Sequence, residues 1–135
     1  MLNQAVQCPF CRLTKTDLTA ENTFHQVIRD RFPISLGHSL IIPKRHVASL
    51  FDLTTEEFNA LYELLHITRQ QLDAEYQPTG YNVGVNIGET AGQTVFHLHV
   101  HVIPRYVGDQ ADPRGGIRWI FPEKADYWSK REIHD

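Results

Sequence analysis

The alternation of apolar residues and histidine between Phe96 and Ile103 is the clearest hydropathy pattern in the chain. A period of two is typical of a half-buried strand, because successive side chains of a strand point to opposite faces. Four apolar residues of this strand are expected to face a core: Phe96, Leu98, Val100 and Val102. Three histidines are expected to share the opposite face: His97, His99 and His101. Imidazoles titrate near neutrality, so a row of three indicates a functional rather than a merely solvated face.

One helix is predicted from Thr54 to about Tyr76. Thr54 and Glu57 form a Thr-x-x-Glu capping box at its start, and Pro78 with Gly80 follows its end. Apolar residues at helical spacing predict the face that packs on the core. These residues are Phe58, Leu61, Tyr62, Leu65 and Leu72.

Three further strands are predicted from apolar runs that turn residues separate. The first two run from Thr23 to Asp30 and from Ser39 to Ile42, where Pro43 ends the second. The third runs from Tyr81 to Ile87 and is expected to pair with the histidine strand as a hairpin. The order β-β-α-β-β predicts an α+β fold, in which a helix packs on one face of an antiparallel β-sheet.

Composition narrows the class of protein. The 135 residues are enough for a single domain, and 41% hydrophobic and 21% charged residues are typical of a globular protein. A formal net charge of −3 gives no reason to expect attraction to nucleic acid or to a membrane. The first seven residues lack the features of a signal peptide, and no apolar run reaches the roughly 18 residues of a membrane span. A cytoplasmic location is therefore expected.

The two cysteines form a Cys-x-x-Cys pair, Cys8-Pro9-Phe10-Cys11. Such a pair is either a dithiol redox motif or half of a tetrahedral zinc site. A redox motif is disfavoured, because no buried strand precedes the pair and no helical period follows it. Zinc needs two more ligands, which only histidines can supply here. Two packed thiols without a metal are the alternative.

Three histidines on a strand suit two kinds of chemistry. They can bind a catalytic zinc, but the flanking Gln93, Thr94 and Arg105 offer no general base for it. Alternatively, one neutral imidazole can attack phosphorus when an acceptor holds its far nitrogen. The Gly92-Gln93-Thr94 stretch and His101 would then donate hydrogen bonds to the phosphate oxygens.

The run from Gly92 to Ile103 resembles the signature of the histidine triad superfamily of nucleotide hydrolases and transferases. The resemblance extends upstream through Leu40 to His46 and covers about residues 8 to 107. The Val-Ile-Pro-Arg ending and the following Gly108-Asp109 are similar to the dinucleoside polyphosphate hydrolases, the fragile-histidine-triad and diadenosine tetraphosphate hydrolase side. Residues 108–135 are expected to be a branch-specific tail of one domain, residues 1–135.

The resemblance implies a role for each matching residue. His99 would be the nucleophile on the α-phosphate, and Asp30 would accept hydrogen bonds from the ribose hydroxyls. Phosphate oxygens would be held by four residues: Asn86, Gln93, Thr94 and His101. Ile28 and Phe24 would line the base pocket.

The resemblance also implies a structural zinc. Similar chains with an N-terminal Cys-x-x-Cys, including the galactose-1-phosphate uridylyltransferase branch, bind zinc through these cysteines and two histidines. The ligands here would be Cys8, Cys11, His46 and His97. The metal would support the fold, and none would be required for the chemistry.

The resemblance thus implies a nucleotide hydrolase that forms a nucleotidyl-histidine on His99, and it also implies a homodimer. Its expected substrates are dinucleoside polyphosphates, with nucleoside phosphoramidates as the second class. Two alternatives stay open: a zinc-dependent hydrolase with the histidine triad as metal ligands, and a nucleotide-binding regulator with slow turnover.

Overall fold

The computed structural model describes residues 7–129, and the chain divides into two compact units. The first unit extends to Arg105 and contains a β-sheet and a long helix. The second begins at Tyr106 and contains short helical segments.

The sheet has five strands: β1 (Leu18–Glu21), β2 (His25–Arg29), β3 (Ser39–Pro43), β4 (Gly80–Gly84) and β5 (Val100–Arg105). Their spatial order is β1-β2-β3-β5-β4, and every neighbouring pair is antiparallel. The predicted fold class is confirmed. Strand β1 was not expected from the sequence. Its four residues are half-buried or exposed at the sheet edge, and its pairing with β2 is interrupted after Leu18.

Helix α1 (Thr55–Tyr76) begins as predicted. The hydroxyl of Thr54 accepts a hydrogen bond from the Glu57 amide, and the Glu57 carboxylate accepts one from the Thr54 amide. This reciprocal pair satisfies two amide groups that the first turn would otherwise leave unbonded. The helix ends at Gln77, which adopts the left-handed conformation.

The predicted apolar face of α1 is wrong in its orientation. Phe58 and Tyr62 are 49% and 59% exposed, whereas Leu61 and Leu72 are buried as expected. The buried stripe also contains Glu57, Ala60, Leu64 and Thr68. Small and polar residues therefore complete the stripe. Their contribution rotates it by roughly a quarter turn from the line of large apolar residues.

The histidine segment is a strand only in its second half. β5 starts at Val100, and Phe96, which was expected in the core, is 48% exposed. The pairing of β5 with β3 begins at Val100, opposite Ile41, although β3 itself continues to Pro43, and β4 ends opposite His101. Before Val100 the backbone leaves the sheet pairing, and the Leu98 amide donates to the Val47 carbonyl instead. Strand β4 likewise ends at Gly84 rather than at the predicted Ile87.

The sheet packs on both of its faces. On one face, nine buried residues form the main core with α1: Val27, Ile41, Val47, Leu61, Leu64, Leu72, Leu98, Val100 and Val102. On the other face, Ile28, Leu40 and Ile42 pack with the N-terminal residues Phe10 and Leu13. His101 lies beside Leu40 in the register of β5 with β3.

The second unit contains a 3-10 helix (Gly116–Ile120) and the short helix α2 (Pro122–Ala125). The guanidinium of Arg114 lies 4.7 Å from the centre of the Trp128 ring, and that of Arg118 lies 4.8 Å from the Tyr127 ring. These cation–π contacts order the unit internally. Within residues 7–129, no helix is long and apolar enough to cross a membrane.

Candidate active site

A cavity of about 420 Å³ lies on the sheet face that carries Ile28 and Leu40. Six of the predicted site residues line it: Ile28, Asp30, Asn86, Thr94, His99 and His101. They come from β2, from the two loops that follow β2 and β4, from the segment that leads into β5, and from β5 itself. Residues that are distant in the sequence thus surround one space large enough for a small ligand.

His99 is held with one ring nitrogen available to a ligand. Its Nδ1 donates a hydrogen bond to the carbonyl oxygen of His97 over 2.8 Å. A neutral imidazole carries a single proton, so this bond places the proton on Nδ1 and leaves a lone pair on Nε2. Because His99 lines the cavity, that lone pair belongs to a candidate nucleophile.

His101 is oriented by His38, a residue that sequence reasoning missed. Nε2 of His38 lies 2.9 Å from Nδ1 of His101. The Ile34 amide donates a hydrogen bond to the other ring nitrogen of His38, Nδ1. The proton of a neutral His38 ring must therefore lie on Nε2, where it is donated to Nδ1 of His101. This leaves the proton of His101 on Nε2. The chain Ile34–His38–His101 thus presents His101 as a donor to the cavity.

Burial supports the neutral state of both rings. It is the main cause that lowers the pKa of His101 to about 4, and the neighbouring His99 and His38 act in the same direction. Burial also lowers the pKa of His38, although the Asp30 carboxylate opposes this shift. At neutral pH, His101 therefore donates a hydrogen bond without carrying a charge.

The Asp30 carboxylate lies close to His38, the middle residue of this hydrogen-bonded series. Its Oδ1 accepts a hydrogen bond from the Phe32 amide over 2.9 Å, and its Oδ2 lies 3.4 Å from Nε2 of His38. A carboxylate can accept further hydrogen bonds beyond the one from Phe32, so the geometry leaves Asp30 available to a ligand hydroxyl.

Two predicted binding residues do not line the cavity, Gln93 and Phe24. The Gln93 amide is buried and bonded within the loops: its Oε1 accepts from the Gly88 amide, and its Nε2 donates to the Ala48 and Val95 carbonyls. Its hydrogen bonds fix the loop that carries Thr94 instead of pointing into the cavity. Phe24 precedes β2, away from the cavity lining.

The four predicted metal ligands converge beside the cavity. Nδ1 of His97 lies 3.4 Å from Sγ of Cys8 and 3.4 Å from Sγ of Cys11. Nδ1 of His46 lies 3.1 Å from both the Cys11 sulfur and Nδ1 of His97. Tetrahedral zinc with ordinary bond lengths would place such pairs about 3.3–3.6 Å apart. The two contacts of His97 with sulfur fall within this range and the two contacts of His46 are slightly shorter, so the donor set and its spacing fit a four-coordinate Cys₂His₂ site.

The surroundings of the cluster also fit a metal. Nε2 of His97 donates to the carbonyl oxygen of Pro43 over 2.7 Å, which leaves Nδ1 unprotonated and directed at the sulfurs. Such a bond to the outer nitrogen is typical of metal-binding histidines. Burial and the adjacent Cys8 raise the pKa of the Cys11 thiol to about 11. A cation would stabilise the thiolate that this environment disfavours.

In the described part of the chain, one other group of potential ligands converges, Asp30, His38 and His101. The hydrogen bond from His38 to His101 accounts for the closeness of these two rings without a metal ion. His97 and His99 do not join it, so the three histidines of the triad do not form one ligand set.

The cavity also has walls that sequence reasoning did not identify. Pro9, Phe10 and Leu13 line it from the N-terminal segment, and Arg31, Phe32 and Leu40 line it from β3 and the loop before it. The Phe10 ring lies 5.1 Å from the His99 ring.

The Gly37-His38 step before a fully apolar strand was the available signal for His38. Gly37 has a φ of +87°, and a Cβ atom there would lie 2.8 Å from a Leu72 methyl carbon.

Comparison with known proteins gives consistent matches. The family model described as "HIT domain" matches residues 13–108. The chain is 34% identical over 104 residues to an adenosine 5'-monophosphoramidase of Schizosaccharomyces pombe, covering 74% of this chain and 75% of the relative. It is 42% identical over 77 residues to an asymmetrical bis(5'-nucleosyl)-tetraphosphatase of the same organism, covering 57% of this chain and 42% of that protein.

A solved structure also resembles this fold. The crystal structure of a zinc-bound histidine triad family protein from Mycobacterium smegmatis matches with a TM-score of 0.71 and 31% sequence identity. The match covers 80% of this chain and 81% of the other.

Proposed function

This chain belongs to the HIT domain family, and we propose from that premise that it is a nucleotide hydrolase acting through His99. The reaction is cleavage at the α-phosphate of a dinucleoside polyphosphate or, as the second class, of a nucleoside phosphoramidate. Similarity to a tetraphosphatase and to a monophosphoramidase supports both classes. The observation that carries the proposal is the hydrogen bond from His99 Nδ1 to the His97 carbonyl, which leaves Nε2 free at the cavity.

In the first step, the Nε2 lone pair of His99 forms a bond to the α-phosphorus. The bond from phosphorus to the bridging oxygen, or to nitrogen in a phosphoramidate, breaks, and its electron pair leaves with the departing group. A polyphosphate leaves as an anion, whereas an amine takes up a proton from solvent as it leaves. The imidazole becomes cationic while its Nδ1 keeps its proton. The His97 carbonyl oxygen, 2.8 Å away, stabilises that charge.

In the second step, water attacks the nucleotidyl-histidine. The phosphorus–nitrogen bond breaks, its electron pair returns to Nε2, and the nucleoside monophosphate is released with the oxygen of water, while the displaced proton of water passes to solvent. His101 Nε2, the Thr94 hydroxyl and the Asn86 amide are the proposed donors to the phosphate oxygens. Asp30 is the proposed acceptor for the ribose hydroxyls, and Ile28 is an apolar wall for the base.

We further propose that zinc binds Cys8, Cys11, His46 and His97. Four protein ligands leave no open position for water, so the metal would be structural and would hold the N-terminal segment on the sheet. Two free thiols at a metal site also suit a reducing compartment, which supports the expected cytoplasmic location. Metal analysis of the purified protein tests the proposed zinc site, and about one zinc per chain is expected.

A homodimer is the proposed assembly. On α1, Phe58 and Tyr62 are large, apolar and exposed, and β4 is an edge strand whose Val83 is 46% exposed. Exposed apolar residues beside an unpaired strand edge favour association. Sedimentation equilibrium should give twice the mass of the chain; the mass of a single chain would contradict the proposal.

A substrate panel tests the proposed activity. Diadenosine triphosphate, diadenosine tetraphosphate and adenosine phosphoramidate are incubated with the protein, and release of adenosine monophosphate is measured. Release from at least one substrate is expected, and the same substrates with His99→Ala protein are the control. Absence of release from every substrate would contradict the proposal.

A further inference from the structure

A single short segment contributes to both the metal cluster and the cavity. Cys8 and Cys11 belong to the cluster, whereas Pro9 and Phe10, which lie between them in the sequence, line the cavity. The residues Pro9–Cys11 form one 3-10 turn. A displacement of either cysteine therefore moves the cavity wall as well.

The polar contacts that hold the segment to the rest of the unit run through its two sulfurs. In the described part of the chain, the hydrogen bonds of residues 8–13 either stay within the segment or run from the two sulfurs to His46 and His97. No strand pairing includes these residues. Their other attachment is the packing of Phe10 and Leu13 on Ile28, Leu40 and Ile42.

Phe10 links the two sites directly. Its ring centre lies 5.1 Å from that of His99 and 6.0 Å from that of His97, the latter in an edge-on arrangement. Half-buried and part of the cavity lining, it is the aromatic group that a bound base or phosphate-bearing sugar would meet beside His99. Aromatic side chains bind bases by stacking on their faces.

We propose that metal occupancy of the cysteine–histidine cluster is thermodynamically coupled to nucleotide affinity, with Phe10 as the residue that transmits the coupling. The inference rests on the proposed nucleotide site. With the metal bound, the turn Pro9–Cys11 is fixed and Phe10 completes the cavity. Without it, the sulfurs are released and the wall becomes mobile, so a nucleotide must order it again at a cost in affinity.

Coupling between two binding sites is reciprocal. If the metal tightens nucleotide binding by a given factor, the nucleotide must tighten metal binding by the same factor. Couplings of this kind are typically about 5- to 150-fold, and a tenfold effect is easily measured. The metal can therefore be followed directly, without reference to turnover.

The first experiment uses adenosine 5'-monophosphate as the probe. Its dissociation constant is measured by calorimetry on zinc-loaded protein and on chelator-treated protein that circular dichroism shows to be folded. We expect binding to be at least about fivefold weaker without zinc. The second experiment measures equilibrium competition for zinc by a coloured chelator. In protein that circular dichroism shows to stay folded during the titration, the nucleotide should raise the apparent zinc affinity by the same factor.

Matched variants test the role of Phe10. Phe10→Ala removes no metal ligand, so zinc content should be unchanged. Its nucleotide affinity should fall to about that of metal-free protein, and the nucleotide should no longer affect zinc competition. Lys15→Ala, an exposed change in the next turn outside the cavity lining, should keep both effects.

The outcomes are distinct. Equal nucleotide affinity with and without zinc, together with unaltered zinc competition, would overturn the coupling while leaving the nucleotide site intact. Coupling that persists in Phe10→Ala protein would overturn the role given to Phe10. If zinc-loaded protein binds neither adenosine 5'-monophosphate nor any nucleotide of the substrate panel, the proposed function fails and the coupling fails with it.

Discussion

His97 and His99 are two residues apart, yet they serve two different sites. His97 is fully buried, with Nδ1 directed at two sulfurs and Nε2 bonded to the Pro43 carbonyl. His99 is half-buried at the cavity, and its Nδ1 is bonded to the His97 carbonyl. Because the segment before Val100 is not a strand, the two rings need not share a face.

The difference between these rings shows how a hydrogen bond assigns a role. A bond from Nε2 leaves Nδ1 of His97 free to bind a metal, whereas a bond from Nδ1 leaves Nε2 of His99 free to attack a ligand. The four side chains of the cluster would close the coordination of a metal, whereas the cavity is open to small molecules. We therefore expect changes at the cavity to alter turnover and changes at the cluster to alter stability.

The largest effect is expected for His99→Ala. Loss of the nucleophile should lower turnover by about four orders of magnitude or more, because groups that act as a unit in covalent catalysis typically carry that much. Binding of adenosine monophosphate should survive, since the proposed phosphate and ribose contacts lie on other residues. Turnover and calorimetric binding are measured on the same preparation. Retention of a tenth of the wild-type rate would refute the assignment of His99.

A smaller effect is expected at His38, which orients His101 without lining the cavity. His38→Leu removes the donor to His101 Nδ1, so the proton of His101 can move away from the cavity. Loss of such an outer contact typically costs about 10- to 100-fold. His38→Gln keeps a donor near the same position and should recover part of kcat.

The comparison of the two His38 variants separates orientation from packing. If His38→Leu and His38→Gln are equally slow while both melt like the wild type, the hydrogen bond to His101 is not what matters. Their kcat values and thermal melts decide between the two explanations.

Asp30→Ala should act mainly on substrate affinity. Removal of an acceptor for a ribose hydroxyl pair is expected to raise KM about tenfold, with a smaller change in kcat. Steady-state kinetics on a nucleosidic substrate measure both values. An unchanged KM and kcat would mean that Asp30 is only a loop carboxylate bonded to the Phe32 amide.

The smallest effect on the chemistry is expected at the metal cluster. Cys8→Ser should lose zinc and melt at a lower temperature, because metal binding contributes folding free energy. At saturating substrate, the folded fraction should still turn over within a few-fold of the wild-type rate. Metal analysis, a thermal melt and kcat are measured together. A variant that keeps its zinc, or that stays folded but loses all turnover, would contradict the division between the two sites.

Local signals in the sequence predicted much of the fold. The Thr54–Glu57 capping box located the start of α1 to within one residue, because both partners lie within one turn. The buried face of α1 was not predictable from large apolar residues alone, since Ala60 and Thr68 fill it and Tyr62 does not. Strand β1 was missed because it has only four residues and none of them is buried.

The candidate site was predictable where a short motif carries it. His99, His101 and Thr94 lie close together in the sequence, and the structure places all three at the cavity. His38 and Phe10 were missed because their positions depend on long-range contacts, with His101 at 2.9 Å and His99 at 5.1 Å. No local pattern marks Phe10, and the Gly37-His38 step before β3 is the only local signal for His38.

The central claim is a covalent intermediate on His99, and trapping it is the most direct test. Zinc-loaded protein in excess is mixed with diadenosine tetraphosphate labelled in the adenosine moieties and quenched within milliseconds in alkaline denaturant. A phosphorus–nitrogen bond to histidine is stable in alkali and labile in acid. Mass spectrometry of the digested protein then locates the label, and His99→Ala is the control.

The account predicts an alkali-stable, acid-labile adenylyl group on the peptide that contains His99, formed as fast as turnover requires and absent from the control. It also predicts that a chelator slows turnover only as far as it weakens substrate binding or unfolds the chain. If no adduct forms, and a chelator abolishes turnover at saturating substrate in protein that stays folded, His99 is not the nucleophile and a metal-dependent hydrolysis takes its place.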